Sequence, residues 1–345
     1  MVSRILIFFI LLMQNPVNAA LPSRYQGTRR CMGVAWTVTV FTETLVKAEK
    51  AITAALDEVS RLENVLSDYQ PTSELCQLSA LAPTPCPKQV SPDLWEVLIQ
   101  ATAWRDRSQG AFDPTVGVFT ALWRKARQTR RMPSVRQLAA ARNASGPKAF
   151  RIEDARKVSL LKPDMRLDLG GIGMGFAIDR ALNIVQSHDI TVAMIDASGD
   201  IGVIGRPPDS DGWRIEIDAL GWKTDKNKSE AFLPRVITLE DASVTTSGDA
   251  FQAFEIEGIR YSHIVDPRTG IGVVGSAGVT VIAPDATTAD ALATTLSVLG
   301  PQAGYEFVEK TDNCSARFVW YESGKVRVRT SSQWSSQTSY SAQKK

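Results

Sequence analysis

Three short segments carry residue types with chemistry in them. In Ala289-Asp-Ala-Leu-Ala-Thr294 a carboxylate and a hydroxyl stand four residues apart, so on a helix Asp290 and Thr294 share one face and can hold one small cation. Hard oxygen donors suit magnesium, which keeps several waters and completes its shell with substrate phosphates. The same pair also reads as an Asp favoured near a helix start and a Thr bonded back to the preceding turn, and spacing alone favours this plainer reading. Asp168-Leu-Gly-Gly-Ile-Gly-Met-Gly175 places four glycines directly before an amphipathic stretch. Glycine lets the backbone approach a ligand, and the helix start that follows offers N–H groups to a phosphate. Its spacing matches neither the Walker nor the dinucleotide fingerprint, and a tight turn packed on a helix uses glycines equally well. Ser262-His-Ile-Val-Asp-Pro-Arg-Thr-Gly270 packs an imidazole, a carboxylate and a guanidinium before a Pro-bearing turn. His263 can take a proton from an attacking hydroxyl, while Arg268 can pair with a phosphate or with Asp266. The alternative is a turn whose Asp and Arg bond the backbone.

Weaker signals accompany these. In Gly110-Ala-Phe-Asp-Pro-Thr-Val-Gly117 Phe112 could stack on a planar ring and Asp113 could accept from a ring N–H or a ribose hydroxyl; equally, the segment is a glycine-capped loop. Thr245-Thr-Ser-Gly-Asp249 and Ala197-Ser-Gly-Asp200 read as small-residue turns after β-like runs. His188 falls at a helix C-terminus, where an imidazole complements the dipole, and carries no further role.

A scaffold must bring these segments together. Residues 33–42 alternate apolar and polar as a strand does, and Ile52, Leu56, Val59 and Leu62 recur at helical spacing through a long amphipathic helix. A second helix covers 94–107. Strand-like runs follow at 192–195, 213–217, 251–256, 279–282 and 316–320, mixed with helices near 175–187 and 287–298. Strands and helices do not alternate strictly, which favours α+β, with mixed, largely antiparallel sheets flanked by helices, over a doubly wound parallel sheet. The body runs over 30–330 as one domain, and the Ser-, Gln- and Thr-rich tail at 331–345 is expected to be disordered.

Composition narrows the partners. Arg4, the apolar run from Ile5 to Met13 and Val17-Asn-Ala19 read as a signal peptide over 1–19. The run is about half of what a permanent span requires, and no cysteine stands at the cleavage site to carry a lipid, so a soluble periplasmic protein without stable membrane insertion is expected. A net charge of +2 gives no footprint for nucleic acid. The compartment permits disulfides, and of the three possible pairings Cys76 with Cys86 is favoured. Two histidines are too few for a His-rich zinc site, leaving oxygen as the main metal donor.

Taken in order, Ser67-Asp-Tyr-Gln-Pro-Thr-Ser-Glu-Leu75, Gly110-Ala-Phe-Asp-Pro-Thr115, Asp168-Leu-Gly-Gly-Ile172, Ser247-Gly-Asp249, Ser262-His-Ile-Val-Asp-Pro-Arg-Thr-Gly270 and Ala289-Asp-Ala-Leu-Ala-Thr294 resemble the hallmark stretches of the ApbE family, the FAD:protein FMN transferases. The similarity spans about 30–310. It implies binding of FAD and Mg²⁺, cleavage of the pyrophosphate, and transfer of FMN to a threonine of an acceptor flavoprotein subunit with release of AMP. Carried over residue by residue, it implies FAD contacts from Met32, Tyr69, Ala111, Phe112, Asp113, Asp168, Met174 and Val265. Magnesium would be held by the Gly171 carbonyl, Asp290 and Thr294, and His263 becomes the candidate base. Three departures stand out: Met174 replaces a frequent Lys, Ser198-Gly199 replaces Gly-Gly, and Val34 replaces Thr. Two alternatives remain compatible with the same site, a Mg²⁺-dependent FAD pyrophosphatase yielding FMN and AMP and a non-catalytic periplasmic FAD-binding protein.

Overall fold

The computed structural model describes residues 21–217, 235–248, 253–275, 277–323, 325–334 and 339–341; the expected signal peptide and Asp249 lie outside them. A hairpin of β1 (Ser23–Cys31) and β2 (Val34–Thr42) leads into α1 (Leu45–Leu66), α2 (Glu74–Ala80), β3 (Lys88–Gln89), α3 (Pro92–Arg107), α4 (Gly117–Thr129) and α5 (Val135–Asn143). Then come β4 (Phe150–Glu153), β5 (Lys157–Leu160), α6 (Gly173–Ser187), β6 (Ala193–Ala197), β7 (Asp200–Ile204), β8 (Trp213–Ile217), β9 (Arg235–Glu240) and β10 (Ala242–Gly248). The chain continues through β11 (Phe254–Ile256), β12 (Ile259–Asp266), β13 (Ile271–Val274), β14 (Ala277–Ala283), α7 (Ala286–Val308), β15 (Ser315–Glu322), β16 (Lys325–Thr330) and β17 (Ser339–Ser341).

Eight strands form one sheet in the order β1-β2-β6-β7-β10-β14-β15-β16, antiparallel at every pairing. Three small sheets, β11-β12-β13, β17-β9-β8 and β3-β5-β4, surround it, so the α+β expectation holds. The pattern explains the layers. Trp36, Val38 and Val40 turn one face of β2 into the core, and α1 lays Ile52, Ala55, Leu56, Val59 and Leu62 into the same cluster. Thr44 starts that helix by accepting from Lys47 N, as a Thr N-cap does.

The contact that fixes the middle of the molecule is between α6 and α7. Ile172, the residue before α6, has no polar side chain and makes no capping bond. Its role is filled from the other helix: Asp290 accepts the Gly175 N–H at 3.0 Å and also the Met174 N–H. In return Asp179 of α6 accepts from Ala286 N at 2.8 Å and Thr287 N at 2.9 Å at the start of α7. Each helix therefore satisfies the otherwise unpaired N–H groups of the other. Gly175 is what allows the approach, since a Cβ there would fall 2.1 Å from the Ala286 carbonyl oxygen and 2.9 Å from Asp290 Cβ.

Several expectations are revised. All four cysteines are free; Cys76 turns inward, with Sγ 3.4 Å from the Ser67 carbonyl, while Cys86 is exposed, so the favoured pair does not form. Residues 245–248 lie inside β10 rather than in a turn, whereas the Pro-bearing turn after residues 262–266 stands where the sequence put it, at 267–270. The polar tail is partly ordered: Ser331 is buried and exchanges two 2.9 Å bonds with the Ala316 backbone, and β17 pairs with β9 in parallel. Those polar groups find backbone partners at the rims of two sheets, which composition does not reveal. No helix among the described residues is long and apolar enough to cross a membrane.

Replacing Gly175 by Ala is expected to destabilise the fold by about 1–3 kcal/mol through overpacking at the helix crossing, read as a lower thermal midpoint. Gly173→Ala is the control. Its Cβ would meet only Leu169 Cβ at 3.9 Å, and an equal fall in midpoint there would remove the crossing as the cause.

Candidate functional site

One end of the central sheet gathers the small-residue turns. Met32 (φ 49°) and Gly33 (φ 81°) turn β1 into β2, and Ser198 (φ 58°) and Gly199 (φ 106°) turn β6 into β7. Asp196 steadies the second turn by accepting from Gly199 N at 2.9 Å. Because β10 runs antiparallel to β7, with Val244 opposite Ile201, its last residues extend past Asp200 at this same end, still paired with β14.

Here three carboxylates sit in or near the packed core. Burial pushes Asp290 up to about 7 against the pull of the two N–H groups it accepts. Burial, and then the nearby Asp290 charge, hold Asp200 well above the ordinary carboxylate range, while burial and the neighbouring Asp285 raise Asp179 to about 6. Among the described residues no Lys or Arg pairs with Asp200 or Asp290. Thr294, one turn beyond Asp290, lies against the glycine loop: a Cβ on Gly171 would stand 2.8 Å from Thr294 Oγ1. Gly171, Asp290 and Thr294 are thus brought together, as the sequence suggested. Two N–H groups occupy about half of the four lone-pair positions of a carboxylate, so capping α6 leaves Asp290 with donor capacity. The set is two carboxylates, a hydroxyl and a carbonyl without a cationic side chain, which suits a hard divalent ion. Among the described residues no three His, Cys, Asp or Glu side chains converge on one point, so an ion here would depend on the mixed oxygen set.

The glycine loop is held from its other side by α4. Asp168 accepts from Thr120 Oγ1 at 2.6 Å and from Gly170 N at 2.8 Å, and Asp168 N donates to the Pro114 carbonyl at 2.9 Å. Arg124, one turn beyond Thr120, reaches Asp168 at 3.5 Å and pairs closely with Asp68. Tyr69 covers the guanidinium, whose carbon lies 3.8 Å from the ring centroid, and its own ring remains 72% exposed. Asp68 is pushed up to about 7, first by burial and then by Asp168, with Arg124 opposing both. Sequence reading missed Arg124, Thr120 and Asp68. The signal was present in the four-residue spacing of Thr120 and Arg124, which puts both on one helical face.

Phe112 and Ala111 are buried, and the Phe112 ring edge packs on Gly171, 3.2 Å from where a Cβ would stand. Asp113 Oδ1 accepts from Thr115 N at 2.8 Å and Thr115 Oγ1 at 2.7 Å, so it shapes the loop with that oxygen. The Arg268 stem passes beside Gly110, and its guanidinium grips Asp266 through two 2.9 Å bonds. Val265 is buried with Phe119 and Trp123, and Trp123 Nε1 donates to the Gly270 carbonyl at 2.8 Å. His263 is exposed on β12, a strand that packs against both α4 and α7. Met174, half-buried at the start of α6, points its backbone N–H at Asp290.

Arg124→Met leaves the Asp68 and Asp168 carboxylates adjacent without a cation, so Asp68 stays protonated to higher pH. A raised carboxyl pKa means the folded state keeps a proton that the unfolded chain has released, so stability falls as pH rises between the ordinary value of 3.8 and about 7. In the variant that window extends further upward. The drop in thermal midpoint from pH 5 to pH 8 is expected to exceed that of the parent, and Asp68→Asn in the same background is expected to cancel the excess.

With this geometry in hand the chain can be set beside known proteins. The model of the ApbE family matches residues 32–318. A Treponema pallidum protein named FAD:protein FMN transferase is 31% identical over 81% of this chain and 79% of its own length, and one of the same name from Haemophilus influenzae is 30% identical over 79% and 78%. Among solved structures, the Vibrio cholerae flavin transferase ApbE superposes with a TM-score of 0.80 at 26% identity, covering 90% of this chain and 98% of that one. The apo flavinyl transferase ApbE of Pseudomonas stutzeri gives 0.79 at 27%, covering 90% and 96%. Across almost the whole folded body, this chain belongs to the ApbE family.

Proposed function

We propose that this chain transfers FMN from FAD to a threonine hydroxyl of an acceptor flavoprotein, releasing AMP, with Mg²⁺ as the metal. The observation that carries the reading is the meeting of Gly171, Asp290 and Thr294 at the crossing of α6 and α7. The relatives named FAD:protein FMN transferase support the substrate and the transfer. The n-region, apolar run and small-residue site of 1–19 support export to the periplasm.

In this reading Gly171 through its carbonyl, Asp290 and Thr294 hold the cation, and Asp200 adds negative charge beside it. A bound Mg²⁺ supplies neutralisation of the pyrophosphate and of the charge that builds as the bond to AMP breaks. The remaining work belongs to side chains of this chain. Phe112, Asp113 and Asp168 fix the glycine loop and the flavin beside it, with Met32, Tyr69, Ala111, Met174 and Val265 completing the FAD contacts. Arg124 keeps Asp168 and Asp68 together under Tyr69. The threonine oxygen attacks the FMN phosphorus, a new P–O bond forms, the bridging P–O bond to AMP breaks, and His263 takes the threonine proton. Met174, where a family lysine is frequent, gives the loop a thioether and a backbone N–H rather than a cation. The phosphates therefore depend on metal and backbone for their positive partners.

Incubation of the purified protein with FAD, Mg²⁺ and a threonine-bearing flavoprotein subunit, followed by mass spectrometry, tests the reading. A gain in acceptor mass equal to FMN less one water supports it; free FMN without that gain makes the protein a pyrophosphatase and overturns it. Asp290→Ala is expected to abolish Mg²⁺-dependent turnover, because the Gly171 carbonyl and the Thr294 hydroxyl carry no charge and Asp200 is left as the one acid beside the ion, and undiminished activity at limiting Mg²⁺ would remove Asp290 from the metal site. His263→Ala is expected to bind FAD normally and to slow transfer by about a hundredfold or more. Weaker FAD affinity with unchanged saturated turnover would make it a binding residue instead.

A further inference from the structure

A strongly basic surface lies next to the site and takes no part in the chemistry of FMN transfer. Between Pro114 and Ile152 the chain carries nine Lys and Arg residues and no Asp or Glu. The remainder of the sequence holds 30 Lys and Arg against 37 Asp and Glu, so this stretch supplies all of the net positive charge and the rest is acidic. The stretch is α4, α5 and the loop joining them, followed by the turn into β4 and that strand. Its buried residues, Phe119, Trp123, Ala126 and Ala141, pack on β11 and β12. That leaves Lys125, Arg127, Arg131 and Arg136 exposed, and among the described residues none of the four forms an ion pair. Val135, 85% exposed, stands among them.

Position decides what this surface is for. The same helix presents Thr120 and Arg124 to Asp168, and Arg127 continues that face one turn further on, where it is exposed. Arg142 of α5 donates to the Thr269 carbonyl at 2.7 Å, in the turn that carries Arg268. Trp123 holds the end of the same turn through the Gly270 carbonyl. The hairpin is therefore braced on both the glycine loop and the turn after β12, and a macromolecule seated on it lies alongside the site.

We propose that the α4–α5 hairpin is the docking surface for the acceptor protein and that it selects acceptors whose surface around the target threonine is acidic. The inference rests on the transferase reading for the identity of the occupant. Uncompensated surface charge of one sign raises the association rate of an oppositely charged partner by about tenfold or more and loses that effect as salt screens it. Such charges act chiefly on encounter and selectivity, which leaves FAD binding and the bond-breaking step to the residues of the α6–α7 site.

The test uses the full protein, a fluorescein-labelled threonine peptide flanked by Asp and Glu, and an analogue with Asn and Gln in their place. Fluorescence anisotropy is expected to show about tenfold tighter binding of the acidic peptide at low salt, with the difference lost at high salt. Lys125→Gln, Arg127→Gln, Arg131→Gln and Arg136→Gln combined should abolish the preference and leave FAD affinity unchanged. The same number of glutamines at Arg24, Lys50, Lys310 and Lys325 should leave the preference intact. Equal binding of both peptides by the parent, equal loss with the control set, or binding only to phosphatidylglycerol vesicles each overturns the proposal. Because the binding measurement does not depend on turnover, it separates the two readings. If the acidic peptide binds through the hairpin and FMN moves to no threonine acceptor, the transferase reading fails while the surface stands as a site for acidic polypeptide.

Discussion

Two helices that cap each other set the terms for the rest of the molecule. Asp290 closes the open end of α6 and Asp179 closes that of α7, so neither helix can rotate or slide without baring buried N–H groups, each costing about 1–3 kcal/mol when left unpaired. Both carboxylates are buried for this purpose, which is why burial lifts them to about 7 and about 6. The crossing also dictates small residues. Gly175 admits the Ala286 carbonyl, and Gly171 admits Thr294 and Phe112. The glycine loop is therefore a consequence of how closely α7 must approach, as well as a means of exposing backbone to a ligand.

The site divides into two halves with opposite electrostatic solutions. On the α4 side, Asp68 and Asp168 share a guanidinium, and Tyr69 screens it from one face. That half is balanced within the protein. On the α7 side, Asp200 and Asp290 face each other with no cationic side chain among the described residues. Protein chemistry offers two remedies for such a pair, a shared proton or a bound cation, and the Thr294 hydroxyl lies close by against Gly171. On the proposed reading, the asymmetry would give the cation to the α7 side and leave the already balanced α4 side to uncharged parts of the ligand.

Much of the architecture was legible in the sequence because long amphipathic elements announce themselves. The periodic residues of α1 and the run into α6 appear in the structure nearly where the pattern put them, and the alternation of β2 predicted a strand buried on one face. Short or composite elements were less readable. Residues 245–248 are small and polar in a way that suggests a turn, yet they extend a strand because β14 pairs with them, a fact of topology. The cysteine pairing failed for a similar reason: a spacing of ten residues says nothing about which way Cys76 points. The Asp290–Thr294 pair shows a subtler limit. Spacing suggested that Asp290 simply serves its own helix, and it does serve a helix end, but that of α6. No local window contains both partners of such a bond.

That result also answers whether a cap can be a ligand. A carboxylate used only as a cap gains from full burial away from other acids, because neighbouring negative charge weakens it. Asp290 instead stands near two other acids: Asp179 adds to the effect of burial on it, and its own charge adds to the effect of burial on Asp200. A purely structural cap would gain by exchanging Asp200 for a neutral residue, and the turn between β6 and β7 could be closed by many others. Retaining a second buried acid makes physical sense when positive charge is brought in from outside. If Asp290 holds a metal as proposed, the two N–H bonds would do what supporting hydrogen bonds do in metal sites generally and fix the carboxylate's orientation before the ion arrives. On that reading the bond that holds the two helices together would also be the bond that aims a ligand.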